Sequence, residues 1–156
     1  MTSATHPAKL VHPAKQQYAA LPYRRARDGT LEVMLVTSRK TGRWIVPKGW
    51  PAPGKKPCES AAREAIEKAG VIGRISEWPA GRYSHKKRLA DGSFVPCAVD
   101  VFLLEVQSQL SSWTEQHQRT TNWFNIQEAA KAVREPALSM IIQRLADVVP
   151  ADSSDR

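Results

Sequence analysis

The sequence predicts an α/β domain of the α+β kind, a mixed sheet with a few helices packed on it. Three observations carry that reading. Runs with strand character alternate with helical runs between residues 17 and 148. A Gly/Pro-rich loop leads into an alanine-rich amphipathic helix at 57–69, and two further helical runs close the chain.

Taken in order, residues 1–16 mix Pro, His, Lys and Ala without a period and are expected to form a loose N-terminal arm. Residues 17–25 read as a first strand. Asp28 and Gly29 make a turn signal, after which 31–38 read as a buried strand. Residues 44–46 form a short extended piece ended by Pro47. Residues 72–83 and 95–106 read as two strands with a turn at Asp91 and Gly92 between them, and 122–124 as one more. Asn125 and Glu128 have the spacing of an N-cap and its third helical residue, predicting a helix through Val133. Pro136 suits a first helical turn, and Leu138, Ile141, Ile142 and Leu145 recur at helical spacing as core residues. Residues 149–156 read as a frayed tail, leaving one domain at 17–148 in a chain of 156 residues.

Charge is unevenly placed. Residues 1–57 hold eleven basic and two acidic side chains, whereas the rest hold twelve and thirteen. A basic first half points to an anionic partner or to a solvated basic surface. No dedicated RRM, KH or zinc-finger motif is present, so nucleic acid is not the expected partner. No apolar run approaches the roughly 20 residues that span a bilayer, and the first residues lack the apolar core of a signal peptide, so a cytoplasmic protein is expected. Cys58 and Cys97 form neither a disulfide framework nor a zinc spacing and read as reduced thiols.

Residues 47–71 hold the chemistry. Pro57 fits the first position of the helix and Gly70 the residue just past its end, where a left-handed backbone is cheap for glycine. Ala61, Ala62, Ala65, Ile66 and Ala69 fall on one side of that helix. Glu59, Ser60, Arg63, Glu64, Glu67 and Lys68 fall on the other. The small alanines let the helix sit close on a sheet. Glu64 and Glu67 are three apart and share a face, so two hard oxygen donors stand side by side, as Mg²⁺ or Mn²⁺ requires. Arg63 lies four residues from both Glu59 and Glu67 and can orient carboxylates.

The whole segment resembles the Nudix box of the Nudix hydrolase family. Gly49, Arg63, Glu64, Glu67, Gly70 and Val71 fall at the box's spacings across 23 positions. The run from Val36 to Gly49, with Trp44 and Pro47, resembles the approach to the box in the diphosphoinositol polyphosphate phosphohydrolase subgroup. Residues 119–130, with Trp123, Phe124 and Glu128, resemble that subgroup's C-terminal end. Two residues depart from the box: Lys55 stands in place of its first Glu, and Lys68 in place of the second Glu of its Glu-Glu pair, in the family a metal ligand. An ammonium offers no lone pair and repels a divalent cation, and Lys68 is placed to pair with Glu64 four residues earlier.

The resemblance implies the Nudix fold, a mixed sheet sandwiched between helices. It implies a metal-dependent hydrolase cleaving a phosphoanhydride bond of a nucleoside-diphosphate-linked or diphosphoinositol polyphosphate substrate. Arg63, Glu64 and Glu67 are its catalytic residues, and Gly49, Glu64 and Glu67 its metal site for Mg²⁺ or Mn²⁺. Ser38, Arg39 and Lys48 are expected phosphate contacts, with Arg24 and Arg25 as further substrate-binding candidates from the first strand. The cluster His85, Lys86, Lys87 and Arg88 is either a solvated hairpin or a lid over the site. Trp44, Trp50 and Trp123 either stack on a base or pack internally. Lys55 and Lys68 leave a second reading open, a Nudix-fold module of weak or absent activity that binds a phosphorylated ligand or a protein. The expected partner is a small phosphorylated substrate. Oligomeric state stays open, with a homodimer among the options.

Overall fold

The computed structural model describes residues 14–150, and the outer parts of the expected arm and tail lie outside them. In chain order the strands are β1 (Lys15–Arg25), β2 (Leu31–Thr37), β3 (Trp44–Ile45), β4 (Lys48–Gly49), β5 (Val71–Ile75), β6 (Gly81–Arg88), β7 (Phe94–Gln109) and β8 (Thr121–Asn125). The helices are α1 (Pro57–Ala69), α2 (Ile126–Ala132), α3 (Pro136–Gln143) and α4 (Leu145–Val148). No helix among the described residues is long and apolar enough to cross a membrane.

The strands form one mixed sheet. β1 runs parallel to β7 from Lys15 opposite Cys97 to Tyr23 opposite Glu105, and the other pairings are antiparallel. Alternation along β1 sends Ala19, Leu21 and Tyr23 to one face and Tyr18 and Ala20 to the other. The first face packs with Val33, Leu35, Val99 and Val101 against Ala129, Ala130, Leu138, Ile142 and Leu145 of the C-terminal helices. The second packs with Met34, Val36, Phe102 and Leu104 against Ala61, Ala65 and Ala69 of α1. The sheet is therefore sandwiched between helices, as expected. Alanine at every fourth position brings α1 close to it, since a methyl group sets the spacing. Ile66, expected on the apolar side of α1, is instead 37% exposed.

One expected strand is two. Residues 72–83 divide into β5 and β6, which pair with successive stretches of β7, Leu104–Gln109 and Phe94–Val101 respectively. Between them the Ser76 backbone N–H donates to the Leu103 carbonyl at 2.8 Å, the Leu103 N–H donates to Ser76 Oγ at 2.9 Å, and Pro79, without an N–H, cannot extend the ladder. A side-chain hydroxyl thus replaces a ladder acceptor where the strand breaks.

The fork in the sheet makes the site. β1 and β2 pair only between Tyr23–Arg25 and Leu31–Val33. Beyond that, β3 pairs with β2 and β4 with β1, and Ala20 N–H donates to Pro47 O at 3.1 Å. β4 is two residues long. Lys48 lies opposite Ala19 and Gly49 opposite Tyr18, so successive residues face opposite sides of the sheet.

Candidate functional site

Helix α1 is fixed at both ends by its own sequence. Pro57 starts it, and the Glu59 carboxylate accepts the Lys56 backbone N–H at 2.9 Å. Glu59 is thereby committed to the helix end and takes no part in the site. At the other end Gly70 has φ 68°, and its N–H closes the last turn onto Ile66 O at 3.0 Å. The loop after β7 is stapled to this end. Leu110 N–H donates to Gly70 O at 2.8 Å, and Gln109 Nε2 donates to Ala69 O and Gly70 O, both at 3.0 Å. The Trp113 ring covers Gly70 so closely that a Cβ there would collide with it. Glu115 N–H donates to Glu67 O at 2.9 Å. Helix carbonyls that would otherwise lack partners thus position Glu115 against the helix.

The result is a cluster of charges on the α1 face of the sheet. Lys68 Nζ lies 3.3 Å from Glu64 Oε1 and 3.4 Å from Glu115 Oε2. Arg119 Nε donates to Glu115 Oε1 at 2.8 Å and its Nη1 to Thr37 O at 3.0 Å. The side chains of Lys68, Glu64, Glu115 and Arg119 are 15%, 14%, 13% and 7% exposed. The Glu64 carboxylate lies against Gly49, where any Cβ would collide with it. Its Oε1 has no hydrogen-bond partner within the described residues, because the contact to Lys68 lies in ion-pair range without hydrogen-bond alignment. Burial pushes the Glu64 carboxyl above the usual carboxylate range, opposed by Lys68. Burial also acts upward on Glu115, but the Arg119 hydrogen bond and the Lys68 charge together hold it below that range. Glu67 turns aside, accepting from Arg63 Nε at 2.8 Å on a more exposed part of the helix.

On the opposite face of β4 lies a cationic group. Lys48 is partly buried, its ammonium makes no hydrogen bond or ion pair within the described residues, and burial pushes that ammonium's pKa down to about 8. Lys87, Lys68 and Arg119 repel its charge, and Glu135 supports it. Arg43 Nε and Nη1 are buried without hydrogen-bond partners, with Nη1 3.9 Å from Glu135 Oε2. His85 Nε2 is 2.8 Å from Gln17 Oε1, and burial, reinforced by Lys48, pushes the imidazole down to about 4. It is neutral at neutral pH. An open cavity of about 400 Å³ begins one residue past Gly49, lined by Lys15, Trp50, Leu89 and Val95, with Lys87 Nζ 5.9 Å from the Trp50 ring centroid.

The expected residues divide accordingly. Gly49, Glu64 and Lys48 converge at β4. Ser38 and Arg39 occupy the turn after β2, where Arg39 donates to Gln118 Oε1 at 2.8 Å and lies 3.9 Å from Glu115. Arg24 and Arg25 sit five to seven residues further along β1 than its β4 contacts, roughly 17–23 Å away at strand rise. Arg24 is engaged with Glu32 at 2.8 Å and lies over the Trp123 ring, and Arg25 donates to Gly29 O and Pro150 O, both at 3.0 Å. Trp44 packs edge-to-face on Phe124 rather than facing the cleft. His85 and Lys87 of the basic cluster reach the cationic group. Glu115, Arg119, Arg43, Gln17 and Glu135 were not singled out as site residues in the sequence. Glu115 meets Lys68 across 47 residues, and no local period marks such a contact.

The resemblance to Nudix hydrolases implies a divalent metal at this site. The donors gathered here do not fit one. Among the described residues no three His, Cys, Asp or Glu side chains group to hold a metal. The ammonium of Lys68 lies between Glu64 and Glu115, while Arg63 takes Glu67.

Comparison with known proteins places this architecture. The NUDIX domain profile matches residues 15–145. Nudix hydrolase 16, mitochondrial, of Arabidopsis thaliana is 32% identical over 109 residues, a match covering 68% of this chain and 60% of that protein's length. Diphosphoinositol polyphosphate phosphohydrolase 3-beta of Bos taurus is 30% identical over 136 residues, covering 84% of this chain and 77% of that protein. The crystal structure of the C. elegans Ap4A hydrolase superposes with a TM-score of 0.62 at 20% identity, covering 86% of this chain and 98% of that one, a likeness of fold. With the family profile spanning residues 15–145 and a relative 30% identical over 84% of the chain, this chain belongs to the Nudix hydrolase family.

Proposed function

We propose that the chain cleaves a phosphoanhydride bond in a nucleoside-diphosphate-linked compound or a diphosphoinositol polyphosphate. The observation that supports this most is the two-sidedness of β4. One residue offers a partly desolvated cation, Lys48, which shares Glu135 and His85 as neighbours with Arg43, two of whose buried donors lack hydrogen-bond partners, and the next, Gly49, leaves room for the Glu64 carboxylate. A phosphate chain laid across β4 meets cations on one side and an acceptor for a proton on the other. In the reaction the oxygen of a water bonds to phosphorus and the bridging P–O bond breaks. The bridging oxygen keeps the electron pair, and the water's proton passes to Glu64. Arg43 and Lys48 offset the charge that accumulates on the phosphoryl oxygens. The cavity at Trp50 is where the non-phosphate part of the substrate would extend. A binding module is the second reading, favoured by the Lys68–Glu64 ion pair, which partly neutralises the proposed base.

The test is a panel of ADP-ribose, dinucleoside polyphosphates, nucleoside triphosphates and diphosphoinositol phosphates. Each is followed by ³¹P NMR with Mg²⁺, with Mn²⁺ and with chelator. Turnover of one class, abolished by Glu64→Gln, is expected. Binding without turnover by folded protein would favour the module, and neither binding nor turnover would remove both readings.

A further inference from the structure

Lys68 is more than a lost ligand. Its aliphatic stem lies on α1, and its ammonium is held from two directions by elements distant in sequence, Glu64 on the helix and Glu115 on the stapled loop. An ammonium carries three N–H donors. One donates to Glu115 Oε2, while Glu64 Oε1 lies in ion-pair range without hydrogen-bond alignment, so donors remain on a side chain that retains some exposure. The surrounding carboxylates are already compensated. Glu115 has Arg119 on its other oxygen and Arg39 nearby, and Glu67 has Arg63. A divalent ion entering the cluster would meet Lys68, Arg119 and Arg63 before any uncompensated carboxylate, whereas an anion would meet a cation fixed in place.

We propose that Lys68 is a built-in replacement for a divalent cation: its ammonium, clamped between Glu64 and Glu115, binds the phosphate oxygens of a phosphoanhydride ligand without metal. The inference rests on the phosphoanhydride reading above. It extends that reading to a ligand taken up as the metal-free anion. Glu115, which binds no ligand itself, is a positioning residue for Lys68. The arrangement differs from a pair of surface lysines on phosphate, because the cation is preorganised by two partly buried carboxylates.

The experiment uses the full chain with two probes, inorganic pyrophosphate by isothermal titration calorimetry and Mn²⁺ alone by electron paramagnetic resonance. Wild-type protein is expected to bind pyrophosphate in the presence of EDTA and to leave Mn²⁺ free. Lys68→Glu should lose at least about tenfold in pyrophosphate affinity in EDTA, about 1.4 kcal/mol, and should gain Mn²⁺ binding. Lys68→Arg should retain most metal-free binding. Should Lys68→Glu not fold by circular dichroism, Lys68→Gln carries the same pyrophosphate comparison. Mn²⁺ bound tightly by wild type, or Lys68→Gln binding pyrophosphate in EDTA as wild type does, overturns the proposal. Absence of wild-type binding in EDTA also overturns it. If binding then appears on adding Mg²⁺, the phosphoanhydride reading survives, and if it does not, that reading falls only when the substrate panel above also shows neither binding nor turnover.

Discussion

Replacing Glu115 by Gln tests the charge cluster without changing its size. Glu115 contacts Arg119 at 2.8 Å and Lys68 at 3.4 Å, within a group of side chains mostly withdrawn from water. At an effective dielectric of about 20, each contact represents roughly 5–6 kcal/mol of attraction before desolvation offsets it. Removing one partner of a buried pair costs about 3–5 kcal/mol, because the other charge stays buried and uncompensated. The cluster is not sealed, Gln still offers an acceptor to Arg119, and Arg119 keeps its bond to Thr37 O. A net loss of about 2–3 kcal/mol is therefore expected, or about 5–10 °C in Tm for a domain of this size. Urea unfolding at pH 7, followed by tryptophan fluorescence, measures it, with an unchanged denaturant slope expected.

The pH dependence is a second reading of the same substitution. The Glu115 carboxyl is held below the usual range in the fold, so its stabilisation is fully present above the unfolded value and is lost as pH falls through the lower folded one. Wild type and Glu115→Gln should converge in acid. Combining Glu115→Gln with Lys68→Met should cost less than the sum of the two, since the orphaned ammonium is then gone. A loss below about 0.5 kcal/mol at pH 7, or strict additivity in the double variant, would refute the picture of a coupled cluster.

Other outcomes follow from single contacts. Lys48 is held at about 8 against an ordinary 10.5, so the unfolded chain holds more protons between those values. Wild-type stability relative to Lys48→Met should rise across that window, while pyrophosphate affinity falls as the ammonium deprotonates; a flat profile in both titrations would contradict the burial of Lys48. Gly49→Ala should displace the Glu64 carboxylate, a flexible side-chain end, so stability should change by less than about 1 kcal/mol while turnover drops sharply; unchanged turnover would mean that Glu64 is not the base. Gly70→Ala places a Cβ at φ 68° and against the Trp113 ring, and should cost about 2–3 kcal/mol by urea unfolding. It should also shift the tryptophan emission as the stapled loop moves.

The sequence alone determined the elements whose causes are local. Pro57 and Gly70 bounded α1, Asn125 and Glu128 started α2, and Leu138, Ile142 and Leu145 were readable as core from their spacing. These depend on dihedral preferences and periodicity, which a chain carries with it before it folds. The pairing of Lys68 with Glu64 was legible for the same reason, being one helical turn. Tertiary structure decided what depends on distant segments meeting. The break between β5 and β6 came with the bond of Ser76 Oγ to Leu103, a residue 27 positions away on β7. Arg24 and Arg25 were substrate-binding candidates from the first strand, and the register of β1 places them roughly 17–23 Å from β4, where they engage Glu32, Gly29 and Pro150. Glu115 had no local signature at all. It reaches Lys68 because the free carbonyls at the end of α1 hold the loop that carries it, and those carbonyls find their partners only once the chain has folded.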